Sequence, residues 1–273
     1  MPFIGTQDPD STIPLGFPVL PKSGDEIHFK LIRAWLQDCD DNHYLCRRNP
    51  KSSTKPPTRV IDVRVDKGKD PGYVRLNLDP HKQGDYIALS HCWGKMAPEK
   101  RDKISLSKGN LHSREEGFAM KDLPQTFQDA IEVTRMLDKP YLWIDAICII
   151  QKDKDDWERE SKLMETVFEN AYCTIAAVST DDDSEEGFLR PIAQQPTTQQ
   201  PCVKVHTSSH GPVYVCEDID RFDDDVENSL LNQRAWVLQE RALARRTIHF
   251  PAGQTYWECG GGIRCETLTR MNK

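Results

Sequence analysis

Three places in the sequence combine residue types that could do chemistry. The first is Ser90-His91-Cys92-Trp93-Gly94, which follows the apolar run Tyr86-Ile87-Ala88-Leu89. Such a run reads as a buried strand, and in open α/β sheets ligands bind beyond the carboxyl ends of the strands. Ser90 and Trp93 are the better contact candidates. The indole offers a face to a base or a nicotinamide ring, and Gly94 permits a tight turn. The same residues also fit a plainer role, with Trp93 plugging the core and Ser90 capping a loop. His91 beside Cys92 invites a thiol-nucleophile reading. Neighbours in an extended segment point to opposite faces, however, and nothing else supports a Cys-His hydrolase.

The second place is Asp145, at the end of the apolar run Tyr141-Leu142-Trp143-Ile144. It either lines the same sheet edge or accepts hydrogen bonds from the amides of the following turn. The third is Cys39-x3-His43-x2-Cys46. On a helix these residues lie near one face, and Cys259 or Cys265 could add the fourth ligand that structural zinc needs. The close paired-cysteine spacing of a strong zinc signal is absent, and the fourth ligand lies far along the chain. Ordinary packing is therefore the expectation, and no metal ligand is assigned. The cysteines number nine, an odd count at irregular spacing. With no export signal they are expected as reduced thiols, mostly buried.

The elements that must position these residues follow from periodicity. Residues 1–25 are rich in Pro, Gly, Ser and Asp and read as an irregular arm. Phe29 to Cys46 carries a helical pattern. Arg59–Val65 and Tyr73–Leu78 alternate and predict a β-hairpin. Three apolar strands follow, Tyr86–Ser90, Tyr141–Asp145 and Tyr172–Val178, separated by helices after Pro124 and after Asp153. The second helix is expected to run unbroken, with Trp157, Glu160, Met164, Val167, Phe168 and Ala171 along one stripe. This β-α-β-α-β order with near-continuous apolar strands predicts a parallel sheet covered on both faces. Asp181–Glu186 and Pro191–Pro201 read as solvated loop, and Val203–Val205 with Val213–Cys216 as an inserted hairpin. A helix from Leu230 through Glu240 and two short strands, Thr247–Phe250 and Thr255–Cys259, complete the reading.

Composition excludes some partners. Lys and Arg total 36 against 43 Asp and Glu, a net charge of −7. A protein that holds nucleic acid by neutralising phosphates needs the opposite balance. No apolar run approaches the ~18 residues of a membrane span. The first ten residues lack the basic and apolar regions of a secretory signal. The expectation is a soluble, cytoplasmic protein.

The apolar blocks also carry a resemblance. Tyr86-Ile87-Ala88-Leu89-Ser90-His91-Cys92-Trp93-Gly94 resembles the opening motif of the fungal heterokaryon incompatibility (HET) domain. Leu123-Pro124 through Tyr141-Leu142-Trp143-Ile144-Asp145-Ala146-Ile147-Cys148-Ile149-Ile150-Gln151 resembles its second block. Asp156-Trp157 and Met164 to Ala171 fit the following helix, and Arg234-Ala235-Trp236-Val237-Leu238-Gln239-Glu240 resembles a later block. Departures fall at His91, where the family usually has Tyr, and at Ala146, where it more often has a small hydroxyl residue. The resemblance covers residues 57–260, leaving 1–56 as an N-terminal arm and helix and 261–273 as a C-terminal tail. It implies a module of fungal self/non-self recognition whose activation leads to cell death, with an incompatibility partner that the sequence does not identify.

The layout is also similar, more distantly, to Toll/interleukin-receptor (TIR) domains, although a long insertion separates Ser179 from Arg234 here. The resemblance implies a TIR-like, mostly parallel α/β sheet flanked by helices. An N-terminal helix and hairpin and the inserted hairpin region add to it. Enzymatic TIR domains bear Trp-x-x-x-Glu on a helix and use the glutamate to cleave the nicotinamide–ribose bond of NAD. Trp236 and Glu240 have that spacing, and residues four apart share a helix face. The resemblance thus implies Glu240 as the catalytic group, with Trp236 on the same face. The strand ends and the start of that helix add Ser90, Trp93, Gly94, Asp145 and Arg234, so that these and Trp236 are the candidate substrate-binding residues. NAD or a related dinucleotide is the candidate substrate, no cofactor is required, and self-association accompanies activation. Arg234, Arg241, Arg245 and Arg246 would give the acidic chain a locally basic pocket. The alternative is a non-catalytic module that oligomerises or recruits a death effector.

Overall fold

The structure is a computed structural model of the 273-residue chain. It describes residues 24–47, 56–64, 70–79, 84–94, 96–178, 187–189, 202–207, 211–216 and 221–266. Of the sequence expectations, the arm before residue 24 and the loops at 181–186 and 191–201 lie outside the described residues.

The centre is strand β3 (Tyr86–Ser90), whose five residues are all buried. It pairs in parallel with β5 (Tyr141–Trp143) on one side and β6 (Cys173–Ala176) on the other. Beyond β6 lies β9 (Arg246–His249), again parallel. In chain order these four strands stand 2-1-3-4. That is the doubly wound arrangement, in which the chain leaves the first strand toward one edge and later returns toward the other. Strands covered on both faces need no polar alternation, which is why their sequences read as unbroken apolar runs.

The covering helices follow from the same runs. Helix α1 (Glu26–Asn42) buries Phe29, Ile32, Trp35, Leu36 and Cys39 at helical spacing. A 3-10 turn, Tyr44–Cys46, extends it. Short helices α2 (Pro98–Ile104) and α3 (Leu111–Glu116) lead to α4 (Gln125–Met136), which starts after Pro124 and buries Phe127, Ala130, Ile131 and Thr134. After β5 come a single turn, α5 (Asp145–Cys148), then α6 (Lys154–Ser161) and α7 (Met164–Asn170). Asp153 caps α6 by accepting from the amides of Asp155 and Asp156, whose carboxylates also suit the positive end of the helix dipole. Helix α8 (Ala235–Leu243) precedes β9.

The α/β class is as expected, with one correction. Parallel pairing is confined to the four central strands, whereas five flanking pairings are antiparallel. Strand β1 (Val60–Asp62) lies antiparallel to β5 and to β2 (Tyr73–Asn77), which pairs with the two-residue β4 (Phe118–Ala119). At the other edge β10 (Tyr256–Cys259) joins β9 and β11 (Gly262–Cys265). Short connections such as β9–β10 and β10–β11 can only return a strand antiparallel. The segment expected as a C-terminal tail thus begins with a strand of the main sheet. The inserted hairpin, β7 (Cys202–Thr207) with β8 (Gly211–Cys216), forms its own two-stranded sheet.

A second correction concerns the helix after Asp153. It breaks between Ser161 and Met164, where the Leu163 amide bonds Glu160 O in a three-residue step. No Gly or Pro marks the break. Asp156 and Glu160 of α6 are buried against the Arg59 guanidinium, with Nη2 at 2.6 Å and 3.3 Å respectively. Arg59 Nε also donates to Cys148 O at 2.8 Å, so one cation ties the lead into β1 to α5 and α6. Removing one partner of a buried ion pair strands the other charge, and here only the half-exposed Arg159 would still pair with the two carboxylates among the described residues. Arg59→Met is therefore expected to destabilise the fold by about 3–5 kcal/mol, read as a lower urea midpoint at unchanged slope. An unchanged midpoint would refute this role.

Candidate functional site

Ser90 ends β3, and its position beside both β5 and β6 is where the strand order reverses. A doubly wound sheet opens its crevice at that point. Across the crevice lies α8. Arg234, just before its first residue, donates from Nη1 to His91 O at 2.7 Å and so fixes the start of the helix to the residue after Ser90. Val237 buries itself in a small cluster with Ala176, Val178 and Leu231. Glu240, three residues on from Val237, follows the same inward face. Ser90 Oγ donates to Glu240 Oε2 at 2.5 Å.

Burial pushes the Glu240 carboxyl up to about 7, and the nearby Asp145 charge adds to the rise. The Ser90 hydrogen bond and the Arg234 charge pull the other way. Near neutral pH this glutamate is therefore poised between its two protonation states. Burial likewise drives His91 below the usual imidazole range, although Asp145 opposes it. His91 sits edge-on to Phe127, with ring centroids 4.9 Å apart.

Glu240 lines a cleft of about 190 Å³ between α8 and the α5–α7 segment. Asp145, Arg234, Trp236 and Gln239 share the lining, with Trp157 opposite on α6. Two of these residues are indoles left open to solvent, Trp236 at 64% and Trp157 at 55% exposure. Exposed tryptophans facing one cleft are the surfaces on which planar rings stack.

Of the residues singled out in the sequence, Ser90 and Glu240 are in direct contact, and Asp145, Arg234 and Trp236 share the cleft that Glu240 lines, with Ser90 buried behind it. Asp145 also does what its plainer reading foresaw, accepting from the Ala146 amide at 2.6 Å. Trp93 and Gly94 stand elsewhere. Trp93 packs 5.7 Å from the His91 ring with the Arg101 guanidinium 4.8 Å above it, and it is not among the lining residues. Gly94 takes the left-handed conformation, φ +61°, in the turn that follows. Trp157 and Gln239 line the cleft without having been singled out. Trp157 looked like part of a core stripe because the helix break after Ser161 has no sequence marker.

The expected basic pocket does not form. Arg241 is held by Glu258 at 2.7 Å and Glu227 at 2.9 Å. Despite burial, hydrogen bonds from His249 and Arg241 draw Glu258 down to about 2. Arg245 donates to the carbonyls of Glu169, Cys46 and Ala171. Arg246 pairs with Asp40. Only Arg234 of the four lines the cleft, alongside the carboxylates of Asp145, Glu165 and Glu240. Arginines adjacent in sequence were drawn away because α8 ends at Leu243 and β9 starts at Arg246.

Fold and site define a doubly wound α/β protein with a serine-clamped carboxyl group at the carboxyl ends of its parallel strands. The family model described as heterokaryon incompatibility protein (HET) matches residues 86–240, from the first residue of β3 to Glu240 itself. The chain belongs to that family, and the domain points to a role in heterokaryon incompatibility and cell death. Neither curated proteins nor solved structures yield a match to the chain. Among the described residues no helix is long and apolar enough to cross a membrane.

The Ser90 hydroxyl stabilises the charged form of Glu240, so Ser90→Ala is expected to move the Glu240 midpoint above about 7. Carboxyl carbon NMR of selectively labelled glutamate would follow it. A midpoint that falls would rule out the clamp.

Proposed function

We propose that this HET domain acts in fungal self/non-self recognition by cleaving the nicotinamide–ribose bond of NAD, with Glu240 as the catalytic carboxylate. The observation that carries this reading is the Ser90–Glu240 pair beside two exposed indoles at the switch point of a parallel sheet. In NAD the glycosidic nitrogen is cationic. When the C1′–N bond breaks, its electron pair passes to the nicotinamide ring, which leaves neutral and needs no general acid. Positive charge then builds on the ribose in an oxocarbenium-like transition state, and an ionised carboxylate stabilises it. Water adds to C1′ and loses a proton, giving ADP-ribose, nicotinamide and one proton.

Within this reading Ser90 orients the carboxylate, Trp236 and Trp157 offer ring-stacking faces, and Arg234 is the cation available to the diphosphate. One arginine among three carboxylates is a poor diphosphate site. A second copy of the chain completing the cleft would couple activity to self-association. Trp236 and Leu238, both exposed on α8, provide an apolar surface for it. The same two residues favour a second reading, in which the domain only oligomerises or recruits a death effector.

Nicotinamide release from NAD by the purified chain, alone and fused to an oligomerising domain, separates the two readings. Activity is expected in the fused form, and Glu240→Gln is expected to lower it at least ~10²-fold. Activity that survives Glu240→Gln would sink the assigned role, and none in either form would favour the non-catalytic module. Because the reaction needs the ionised form, the rate should rise with pH through about 7. A rate that falls across that range contradicts the mechanism. Stability runs the opposite way. A carboxyl group raised on folding stabilises fully below its unfolded pKa, near 4.5, and that contribution is lost as pH climbs through about 7. Glu240→Gln should therefore gain stability relative to the parent chain above pH 7.

A further inference from the structure

At the end of the parallel strands remote from the cleft, the fold assembles a second cluster that the proposed chemistry does not use. Cys39 lies on the buried face of α1, His43 follows the helix, and Cys46 closes the 3-10 turn. Cys259 is the last residue of β10, paired with Arg246 at the amino end of β9. The sequence left Cys259 and Cys265 as alternatives for a fourth ligand, and the tertiary structure brings Cys259 to the other three. One ligand atom from each of the four lies within 4.8 Å of the others. His43 Nδ1 stands 3.2 Å from Cys259 Sγ, and the Gly261 amide donates to the same sulfur at 3.3 Å.

The surroundings are shaped to the cluster. A Cβ on Gly261 would fall 2.3 Å from the His43 ring, and one on Gly260 would fall 3.4 Å from Cys46 Sγ. The glycine turn between β10 and β11 is thus what admits the imidazole. Cys46 O is held by Arg245 Nη1 at 3.1 Å and Arg246 Nη2 at 3.4 Å. Arg246 is 3% exposed; its Nη2 pairs with Asp40, and its Nε and Nη1 have no hydrogen-bond partner among the described residues. A buried guanidinium with spare donors beside three sulfurs suits a centre of net negative charge.

We propose that Cys39, His43, Cys46 and Cys259 bind one zinc ion as a closed structural site. Three thiols lose their protons to solvent and the neutral imidazole gives a nitrogen, so zinc with its ligands carries one negative charge, which Arg246 faces. At Zn–S of about 2.3 Å and Zn–N of about 2.0 Å, ligand atoms stand about 3.4–3.8 Å apart. A 4.8 Å cluster reaches that by small side-chain movements. One ion fills the space and leaves no open position for a reacting molecule. Its role is to join the end of α1 to the β10–β11 hairpin, across 216 residues between His43 and Cys259. Binding free energy of that kind is folding free energy.

The full chain purified under reducing conditions is expected to hold one equivalent of zinc by plasma mass spectrometry. Exchange with Co(II) should give the thiolate-to-cobalt charge-transfer band and the intense visible bands of a tetrahedral site. His43→Cys should keep the equivalent, whereas Cys46→Ala should lose most of it and unfold at lower urea. If Cys46→Ala does not fold, the cobalt spectrum of the unaltered chain decides. The proposal is overturned by a chain that takes up under about a tenth of an equivalent from added zinc. A six-coordinate cobalt spectrum would overturn it too, as would a purified chain two hydrogens lighter with Cys39 and Cys259 joined as a disulfide.

Discussion

The constraint on which the structure depends is the complete burial of β3. A strand with no exposed residue must have strands on both sides and helices on both faces, since its backbone groups have no access to water. Supplying those neighbours from one chain forces the path outward to β5 and back past β3 to β6. That reversal opens the crevice beside which Ser90, itself buried, holds the cleft-lining Glu240. The residue that ends this buried strand therefore reaches the cleft only through the carboxyl group it binds.

Electrostatics then separate the two ends of the sheet. At the carboxyl ends of the strands, a glutamate is drawn under cover by the inward face of α8. It keeps only a serine hydroxyl and a distant arginine to favour its charge. At the amino ends the cations are spent on structure, with Arg246 against Asp40 and Arg245 on three carbonyls. This division leaves the cleft short of positive charge.

The antiparallel additions explain why the N-terminal helix and the C-terminal hairpin belong to one body. Phe29, Ile32 and Trp35 of α1 pack in the same core as Ile87, Leu142 and Trp257. His28 Nε2 also meets Thr255 Oγ1 at 2.8 Å and Glu266 Oε1 at 3.0 Å. Two segments distant in sequence are thus stitched by apolar contact, by hydrogen bonds and by the sulfur–imidazole cluster at His43.

Much of this was legible in the sequence, and the boundary between legible and hidden has a physical cause. The apolar runs at Tyr86, Tyr141 and Cys173 determined the parallel core, because burial on both faces leaves an unmistakable composition. The strand end at Ser90 and the helical spacing of Trp236 and Glu240 determined which residues could form the site. Periodicity reports only which face a side chain occupies within its own element. It says nothing about where an arginine's partner lies, so Arg241, Arg245 and Arg246 looked free when their carboxylates and carbonyls were remote in sequence. Nor does it reveal a helix break without Gly or Pro, so Trp157 looked buried. The choice between Cys259 and Cys265 as fourth member of the Cys39, His43 and Cys46 cluster was undecided for the same reason. Local spacing was set by the chain itself, whereas meetings between distant residues were decided only when the sheet closed α1 against β10.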